Sequence, residues 1–319
     1  MQVLASILDA VGNTPIVRLN KVIQTNKANL FVKCEYMNPG GSIKDRIGKF
    51  IIDQAELKGL LKPGGTIIEA TSGNTGMGLA LVAANRGYKC IFVMADKQSE
   101  EKRRALRAIG AEVVVCPTEV AAEDPRSYYQ VAAKLVRETP NSFYANQYHN
   151  PDNPEAHYRS TGPEIWQQMG AELDALVLGI GTGGTVVGIS KYLREKNPKI
   201  QVIGVDPVGS LYFDLFHTGK PSQPHGYLVE GIGEDFVPST MDLSCMNDII
   251  RITDDESFNM TRKLIKQEGL LCGGSSGSAV AGAIKYIQER MPNFERTSPN
   301  ILTILPDSSS RYLSKFLST

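Results

Sequence analysis

Cysteine is scarce and unpaired in this chain. The five at Cys34, Cys90, Cys116, Cys245 and Cys272 are odd in number, and no two stand in a Cys-x-x-Cys spacing. That argues against a disulfide framework and against a thiolate metal site. Cys90 and Cys116 fall in apolar stretches that read as buried strands, so they are packing residues, and only Cys272 adjoins a glycine-rich loop. Histidine is also sparse: His149, His157, His217 and His225 form no i, i+4 helical pair, which further weakens a metal reading. Charge of one sign is lacking, with 34 basic and 34 acidic residues and no basic tract, so nucleic acid is not an expected partner. No apolar run approaches the ~18 residues of a bilayer span. The first ten residues lack the charged start and apolar centre of a signal peptide, which makes the cytoplasm the expected location. What remains is an ordinary globular composition. The chain has 319 residues, 42% of them hydrophobic, with 30 glycines, enough for two lobes around a large core.

The dominant rhythm is apolar strand, glycine-rich turn, helix. A strand over Thr66–Glu69 leads through residues 71–75 to a helix over 76–86, a strand over 89–94, a helix over 100–109 and a strand over 112–116. The rhythm restarts with a helix over 155–169, a strand over 175–178, the loop 179–184, a helix to Glu195 and a strand over 201–205. A helix over 278–290 precedes a last strand over 300–305. Repeated βαβ units predict an α/β fold of two lobes, each a twisted, mostly parallel sheet flanked by helices. The change-over falls near Tyr144–Pro154, a polar stretch rich in Asn and Pro. The irregular segment 206–246 is too long for a connector in a compact lobe, so it is functional or partly mobile.

Lys44 stands out by position. Gly40-Gly41-Ser42 reads as a loop ending in an N-cap, and residues 44–58 read as an amphipathic helix with Ile47, Ile51, Ile52 and Ala55 on one face. Lys44 is then in the first turn, where the helix dipole disfavours an ammonium and eases access to the neutral amine. A neutral amine is a nucleophile able to form a Schiff base. A solvated surface lysine is the ordinary alternative, and the loops elsewhere weigh against it.

Three strand-to-helix or loop-to-helix turns carry glycine and hydroxyl residues. Thr71-Ser72-Gly73-Asn74-Thr75-Gly76 presents backbone amides and hydroxyls to an anion, beyond what a helix cap needs. Gly179-Ile180-Gly181-Thr182-Gly183-Gly184-Thr185 opens a helix and is a ready phosphate site. Cys272-Gly273-Gly274-Ser275-Ser276-Gly277-Ser278 also opens a helix. The second loop fits G-x-G-x-x-G at Gly179, Gly181 and Gly184, with Asp206 ending the next strand where a ribose partner would stand, so a Rossmann-type NAD oxidoreductase is the rival reading. That rival gives no role to Lys44 or to residues 71–75. An aldehyde cofactor with a phosphate handle, pyridoxal 5′-phosphate, uses the amine, the phosphate cradle and a carboxylate cradle together.

The order GGSIKDR, TSGNTG, GTGGT, GGSSGS and LPDS resembles the fold-type II pyridoxal-phosphate enzymes of the cysteine synthase and cystathionine β-synthase family over nearly the whole chain. Lys44-Asp45-Arg46, Gly78, Ala156-His157-Tyr158, Val229-Glu230-Gly231-Ile232-Gly233 and Cys272 to Ser275 look more like the cystathionine β-synthase branch. The resemblance implies that Lys44 holds the cofactor and is the catalytic base. It implies that Asn74 bonds the ring 3′-oxygen, that Gly181, Thr182, Gly183, Gly184 and Thr185 cradle the phosphate, and that Ser275 faces the pyridine nitrogen. Thr71, Ser72, Gly73, Thr75 and Gln147 would take the substrate carboxylate, with Tyr148, Gly231 and Gly233 bordering the substrate. Glu234 stands where the animal enzymes carry tyrosine, and it is a candidate for the acceptor's amine. Ser309-Ser310-Arg311 also departs from the family pattern, so the C-terminal helix start is expected to pack differently.

The implied lobes are a smaller mobile one over residues 38–147 and a larger one over 1–37 and 148–319, with the part around 71–122 closing on substrate. The implied reaction is a lyase-type β-replacement of L-serine by L-homocysteine to give L-cystathionine and water. Cysteine synthesis from O-acetylserine and sulfide is the close alternative, and a non-catalytic relative on the same fold is the distant one. A homodimer is expected, with no membrane or nucleic-acid partner and no metal. Neither a haem segment nor a fused regulatory module is expected.

Overall fold

A computed structural model describes residues 3–23, 27–121, 123–315 and 317. The expected lobe limits at residues 1, 122 and 319 lie outside that set. The chain starts with β1 (Ile16–Arg18) antiparallel to β2 (Asn29–Cys34), and then enters α1 (Lys44–Leu57). The next strands, β3 (Thr66–Ala70), β4 (Lys89–Ala95), β5 (Glu112–Cys116) and β6 (Ser142–Tyr144), form an all-parallel sheet in the order β5-β4-β3-β6. Helices α2 (Asn74–Arg86), α3 (Glu100–Ala108) and α4 (Tyr128–Glu138) connect them. Past α5 (Asp152–Arg159) and α6 (Thr161–Met169) the chain returns to the first sheet. It adds β7 (Leu173–Gly179), α7 (Gly184–Lys196), β8 (Gln201–Pro207), α8 (Tyr212–Thr218), β9 (Asp248–Ile252), α9 (Asp254–Lys263), α10 (Gly274–Lys285) and β10 (Asn300–Leu305). That sheet runs β1-β2-β10-β7-β8-β9 and is parallel except at β1. Its central strands are buried, β10 throughout and β7 at all but Asp174 and Gly179, as a sheet covered on both faces requires. This is the α/β architecture expected. Cys90 and Cys116 are buried, as are Cys34 and Cys272. No helix among the described residues is long and apolar enough to cross a membrane, and no group of His, Cys, Asp or Glu there could hold a metal ion.

Several local readings differ. The helix expected over 155–169 is two helices, broken at Ser160, whose hydroxyl donates to the Ala156 carbonyl at 2.6 Å and whose backbone leaves the helical region. The last helix starts at Gly274 rather than Ser278, and α2 at Asn74 rather than Gly76, because Gly73 (φ 118°) ends the turn. Ser42 is one residue short of the cap position of α1, yet its hydroxyl still accepts the Lys44 amide at 3.2 Å. The segment 206–246 contains α8, and much of it faces the central cavity. β1, β2, β6, β9, α4 and α9 were not legible, being short or without a clean period.

Two features seat α1. Glycines permit the first: a Cβ on Gly48 would lie 2.4 Å from the Gly78 carbonyl carbon, and one on Gly78 would lie 2.4 Å from the Lys44 carbonyl oxygen. Helices α1 and α2 therefore touch backbone to backbone beside Lys44. The second is a buried ion network. Arg46 donates to Glu35 through Nε at 2.7 Å and Nη2 at 2.7 Å, and through Nη1 to Glu164 at 2.8 Å. Glu164 also accepts from Lys33 at 2.7 Å, and Glu35 from Thr14 at 2.6 Å and Asn38 at 2.8 Å. Removing one partner leaves a buried charge uncompensated. Arg46→Met is expected to lower the urea-derived stability of the cofactor-free protein by about 3–5 kcal/mol. Lys49→Met, which removes a half-exposed i, i+4 pair with Asp53, should cost under about 0.5 kcal/mol. Equal effects in the two variants would refute a structural role for the network.

Candidate active site

The C-terminal ends of both parallel sheets face one cavity of about 490 Å³. That is where an open α/β fold places its ligands. Lys44 reaches it from the first turn of α1. Burial pushes its amine down to about 8, against the opposing pull of Glu234 and Glu69. Glu69 is fully buried in β3, and burial drives its carboxyl up to about 8 against the pull of the Gln147, Asn146 and Ala70 amides and of Lys44.

The loop after β3 is braced from within. The Thr71 hydroxyl accepts the amides of Gly73 at 3.0 Å and Gly76 at 3.3 Å. Thr75 donates to the Gln147 side-chain carbonyl at 2.6 Å, and the Gln147 amide donates to Ala70 O at 3.3 Å. Thr71, Ser72, Thr75 and Gln147 all line the cavity, whereas Gly73 does not. Its amide turns inward to Thr71 and its Cα rests on the Lys102 stem. Asn74 lines the cavity too. Its Nδ2 donates to Asp307 at 2.8 Å, while its Oδ1 is buried without a partner.

The loop after β7 is held by its carbonyls. Gly181 O accepts from the Tyr212 hydroxyl at 2.8 Å and Thr182 O from the Thr240 hydroxyl at 2.6 Å. The first-turn amides of α7 have no helical carbonyl to bond and suit an anion. Gly183 (φ 88°) could not be another residue, since its Cβ would sit 2.5 Å from Met241 Cα. Gly181, Thr182, Gly183 and Thr185 line the cavity, but Gly184 packs away from it against Asn153. The Thr185 hydroxyl is 3.2 Å from His157 Nε2, and His157 Nδ1 is 2.9 Å from Thr161. Burial holds that imidazole well below its usual value, hence neutral. Ser275 enters the wall from the first turn of α10.

Gly231, Gly233 and Glu234 form the wall opposite Lys44's loop, with Gly233 donating to Ile180 O at 2.7 Å. Burial first, then Asp235, raises the Glu234 carboxyl to about 8. Tyr148 stacks against Phe236 and Tyr129, with centroids 5.3 and 5.7 Å away. Fifteen of the seventeen expected residues thus meet at one cavity, the exceptions being Gly73 and Gly184. Asp206 does not line it. It is fully buried, and its Oδ2 accepts the Phe213 amide at 2.9 Å at the start of α8, so the ribose partner required by the dinucleotide reading does not face the cavity. Sequence reasoning missed Tyr128, Tyr129, Tyr212, Thr240 and Asp307 in this setting, and of these only Asp307 had a signal, the LPDS motif.

These residues fit pyridoxal 5′-phosphate on three counts. Lys44 is an amine made easier to neutralise, Asn74 Oδ1 is a buried acceptor with an open hydrogen bond, and Gly181 and Gly183, where a Cβ would meet Gly231 O at 3.1 Å and Met241 Cα at 2.5 Å, flank the Thr182 hydroxyl at the start of α7. The sequence pattern of the family described as pyridoxal-phosphate dependent enzyme matches residues 7–307. The chain is 48% identical to cystathionine β-synthase of Apis mellifera over 99% of its own length and 62% of that protein's. It is 40% identical to cysteine synthase of Staphylococcus aureus (strain Mu50 / ATCC 700699), covering 97% of this chain and 95% of that one. The structure of an O-acetylserine dependent cystathionine β-synthase from Helicobacter pylori superimposes with a TM-score of 0.88 at 40% identity, over 99% of both chains. The chain spans about three fifths of the length of the Apis mellifera protein.

The raised carboxyls give a signed prediction. Between its ordinary value of 4.5 and about 8, Glu69 keeps a proton in the folded state that the unfolded chain has lost. Its contribution to stability is full below 4.5 and declines as pH rises to about 8. Lys44, depressed from 10.5 to about 8, acts with the opposite slope and only above that window. Cofactor-free Glu69→Gln should therefore lose less stability than the unsubstituted chain between about pH 5 and pH 8 in urea titrations. Parallel curves would show that the buried carboxyl is ionised throughout.

Proposed function

Because the chain belongs to the family of pyridoxal-phosphate dependent enzymes, we propose that it is a lyase-type β-replacement enzyme, joining L-serine to L-homocysteine to give L-cystathionine and water. The observation that carries this reading is Lys44: an amine pushed down to about 8 in the same cavity as the Gly181–Thr185 cradle and the unpartnered Asn74 Oδ1. Bound pyridoxal 5′-phosphate supplies an electron sink conjugated to the substrate Cα, which makes the Cα proton removable and lets a β-substituent leave.

The chain's residues supply the rest. Lys44 holds the cofactor and, once freed by the donor, its amine takes the Cα proton as a positioned general base. The ammonium so formed can hand its proton to the departing hydroxide of serine, which leaves as water; Lys44 then takes the proton of the acceptor's thiol and returns it to Cα once that thiolate has added at Cβ. Thr71, Ser72, Thr75 and Gln147 orient the donor carboxylate, with Tyr148 and the Gly231–Gly233 turn bordering it. Gly181, Thr182, Gly183 and Thr185 take the phosphate, and Asn74 the ring oxygen. Glu234 is proposed to receive the acceptor's ammonium, whose charge would return the carboxyl to its ionised form. The smaller lobe, residues 38–147, is proposed to close on the donor carboxylate. The same reading makes the protein a cytoplasmic homodimer.

Ser275 is proposed to face the pyridine nitrogen. A neutral hydroxyl there does not hold a full positive charge on the ring, so the electron sink is weaker and a long-lived carbanion is disfavoured. Elimination suffers less, since charge leaves with the β-group. Ser275→Asp is expected to lower β-replacement turnover by about tenfold or more, and unchanged turnover would remove this account.

The second reading, cysteine formation from O-acetylserine and sulfide, draws support from the likeness to the Staphylococcus aureus cysteine synthase. The two are separated by the visible absorption of the holoenzyme. A cofactor band that shifts on adding L-serine, with cystathionine released after homocysteine, is the expected result. A band that ignores serine but shifts with O-acetylserine would favour the second reading. A protein that takes up no cofactor would end both.

A further inference from the structure

One lysine that the reaction does not use is more deeply buried than Lys44. Lys102, in α3, has a side chain only 1% exposed, and its Nζ lies 2.6 Å from Glu230 Oε2. Lys102 belongs to the connections of the four-stranded sheet, and Glu230 to the segment that follows β8 of the six-stranded sheet. Their ion pair therefore spans the mouth between the two sheets.

Both ends touch the wall of the cavity. The methylene stem of Lys102 lies under Gly73, where a Cβ would come 2.8 Å from Lys102 Cδ, so the stem supports the Thr71–Thr75 loop from behind. Glu230 immediately precedes the Gly231–Gly233 turn. The C-terminal segment completes the arrangement. Lys102 Nζ stands 4.5 Å over the Tyr312 ring, and the Tyr312 hydroxyl donates to Asp307, the partner of Asn74, at 2.6 Å. Glu101, beside Lys102, accepts from the Ser314 amide at 2.8 Å and hydroxyl at 2.9 Å. Lys315 donates to Lys97 O at 3.0 Å and also pairs with Glu230.

We propose that Lys102 is a positioning residue, whose ion pair with Glu230 latches the donor-carboxylate loop to the Gly231–Gly233 turn when the cavity closes. The energetics suit a latch. A buried pair gains little net free energy over the same two charges in water, because desolvation offsets attraction. Parting the lobes returns both charges to solvent at small net cost, while closing them admits only one alignment of the two loops. A small bias from a bound donor carboxylate is then enough to shift the balance. The inference rests on the reading that residues 71–75 hold a donor carboxylate.

The test uses the holoenzyme, Lys102→Met, Lys102→Arg and Glu230→Gln, with both L-serine and O-acetylserine as donors. Lys315 keeps Glu230 paired in Lys102→Met, so the carboxylate is not left alone. Lys102→Met and Glu230→Gln are expected to raise the donor KM by about tenfold or more, with kcat within about threefold and cofactor content unchanged. Lys102→Arg should recover most of the loss. In the holoenzyme with donor bound, hydrogen exchange should speed up together at residues 71–76 and 228–233 in Lys102→Met. A donor KM within about twofold in both charge-removing variants, or faster exchange in one segment alone, would overturn the latch. An unsubstituted holoenzyme that responds to neither donor would overturn the functional reading instead.

Discussion

The guanidinium of Arg46, clamped between Glu35 and Glu164, is the interaction on which the site depends. It sits two residues past Lys44, in the same first turn of α1. Glu35 lies just beyond β2 and Glu164 in α6, so one side chain ties the start of α1 to both the six-stranded sheet and the helices beneath it. Burial alone would neutralise Glu35. The bidentate arginine holds it below the usual carboxylate value, and the remaining oxygens are met by Thr14, Asn38 and Lys33. A buried network of this kind contributes less to net stability than to a unique placement. Here the thing placed is the backbone that carries Lys44.

Close backbone contact fixes the other coordinate. At the Gly48–Gly78 crossing the peptide chains of α1 and α2 meet without side chains between them. The loop that opens α2 is the one proposed to hold the donor carboxylate, so the distance from Lys44 to residues 71–75 is set by main-chain atoms and not by adjustable rotamers. The six-stranded sheet supplies the opposing wall through loops that leave its strands at the same edge. Tyr212 and Thr240 take the carbonyls of Gly181 and Thr182, which leaves that loop's amides to face whatever anion arrives.

Much of this was legible because the glycine-rich turns are local signals: each opens a helix, and two of them turn through a glycine at positive φ, Gly73 and Gly183. Lys44, Asn74, Ser275 and the Gly181–Thr185 turn could be read for that reason. Gly73 and Gly184, read by the same logic, do not line the cavity, since a motif names a turn but not which of its atoms points inward. Gly73 is glycine to make room for Lys102, and Gly184 to make room for Asn153. Tyr212, Thr240 and His157 act from elements distant in sequence, through hydrogen bonds that no spacing encodes. The short strands β1 and β6, of three residues each, exist because neighbours pair with them, not because their own pattern demands it.

The electrostatics of the cavity close on themselves. Lys44, Glu69 and Glu234 all come to about 8 from opposite directions, because burial disfavours every charge and each group moderates the others. Without a ligand near neutral pH, the carboxyls hold protons while the amine remains largely an ammonium. An anion in the Gly181–Thr185 cradle changes that balance, since Glu234 Oε1 would lie only 3.8 Å from a Cβ on Gly181. A phosphate there favours the protonated carboxyl, which can donate a hydrogen bond instead of repelling it. An ammonium arriving at the same wall favours the ionised carboxyl. If the Gly181–Thr185 turn holds a phosphate and Glu234 faces the acceptor, as proposed, Glu234 would couple the occupancy of the one to the charge of the other through a single proton. A tyrosine at this position, lacking a proton that titrates near neutral pH, would leave the two sides independent.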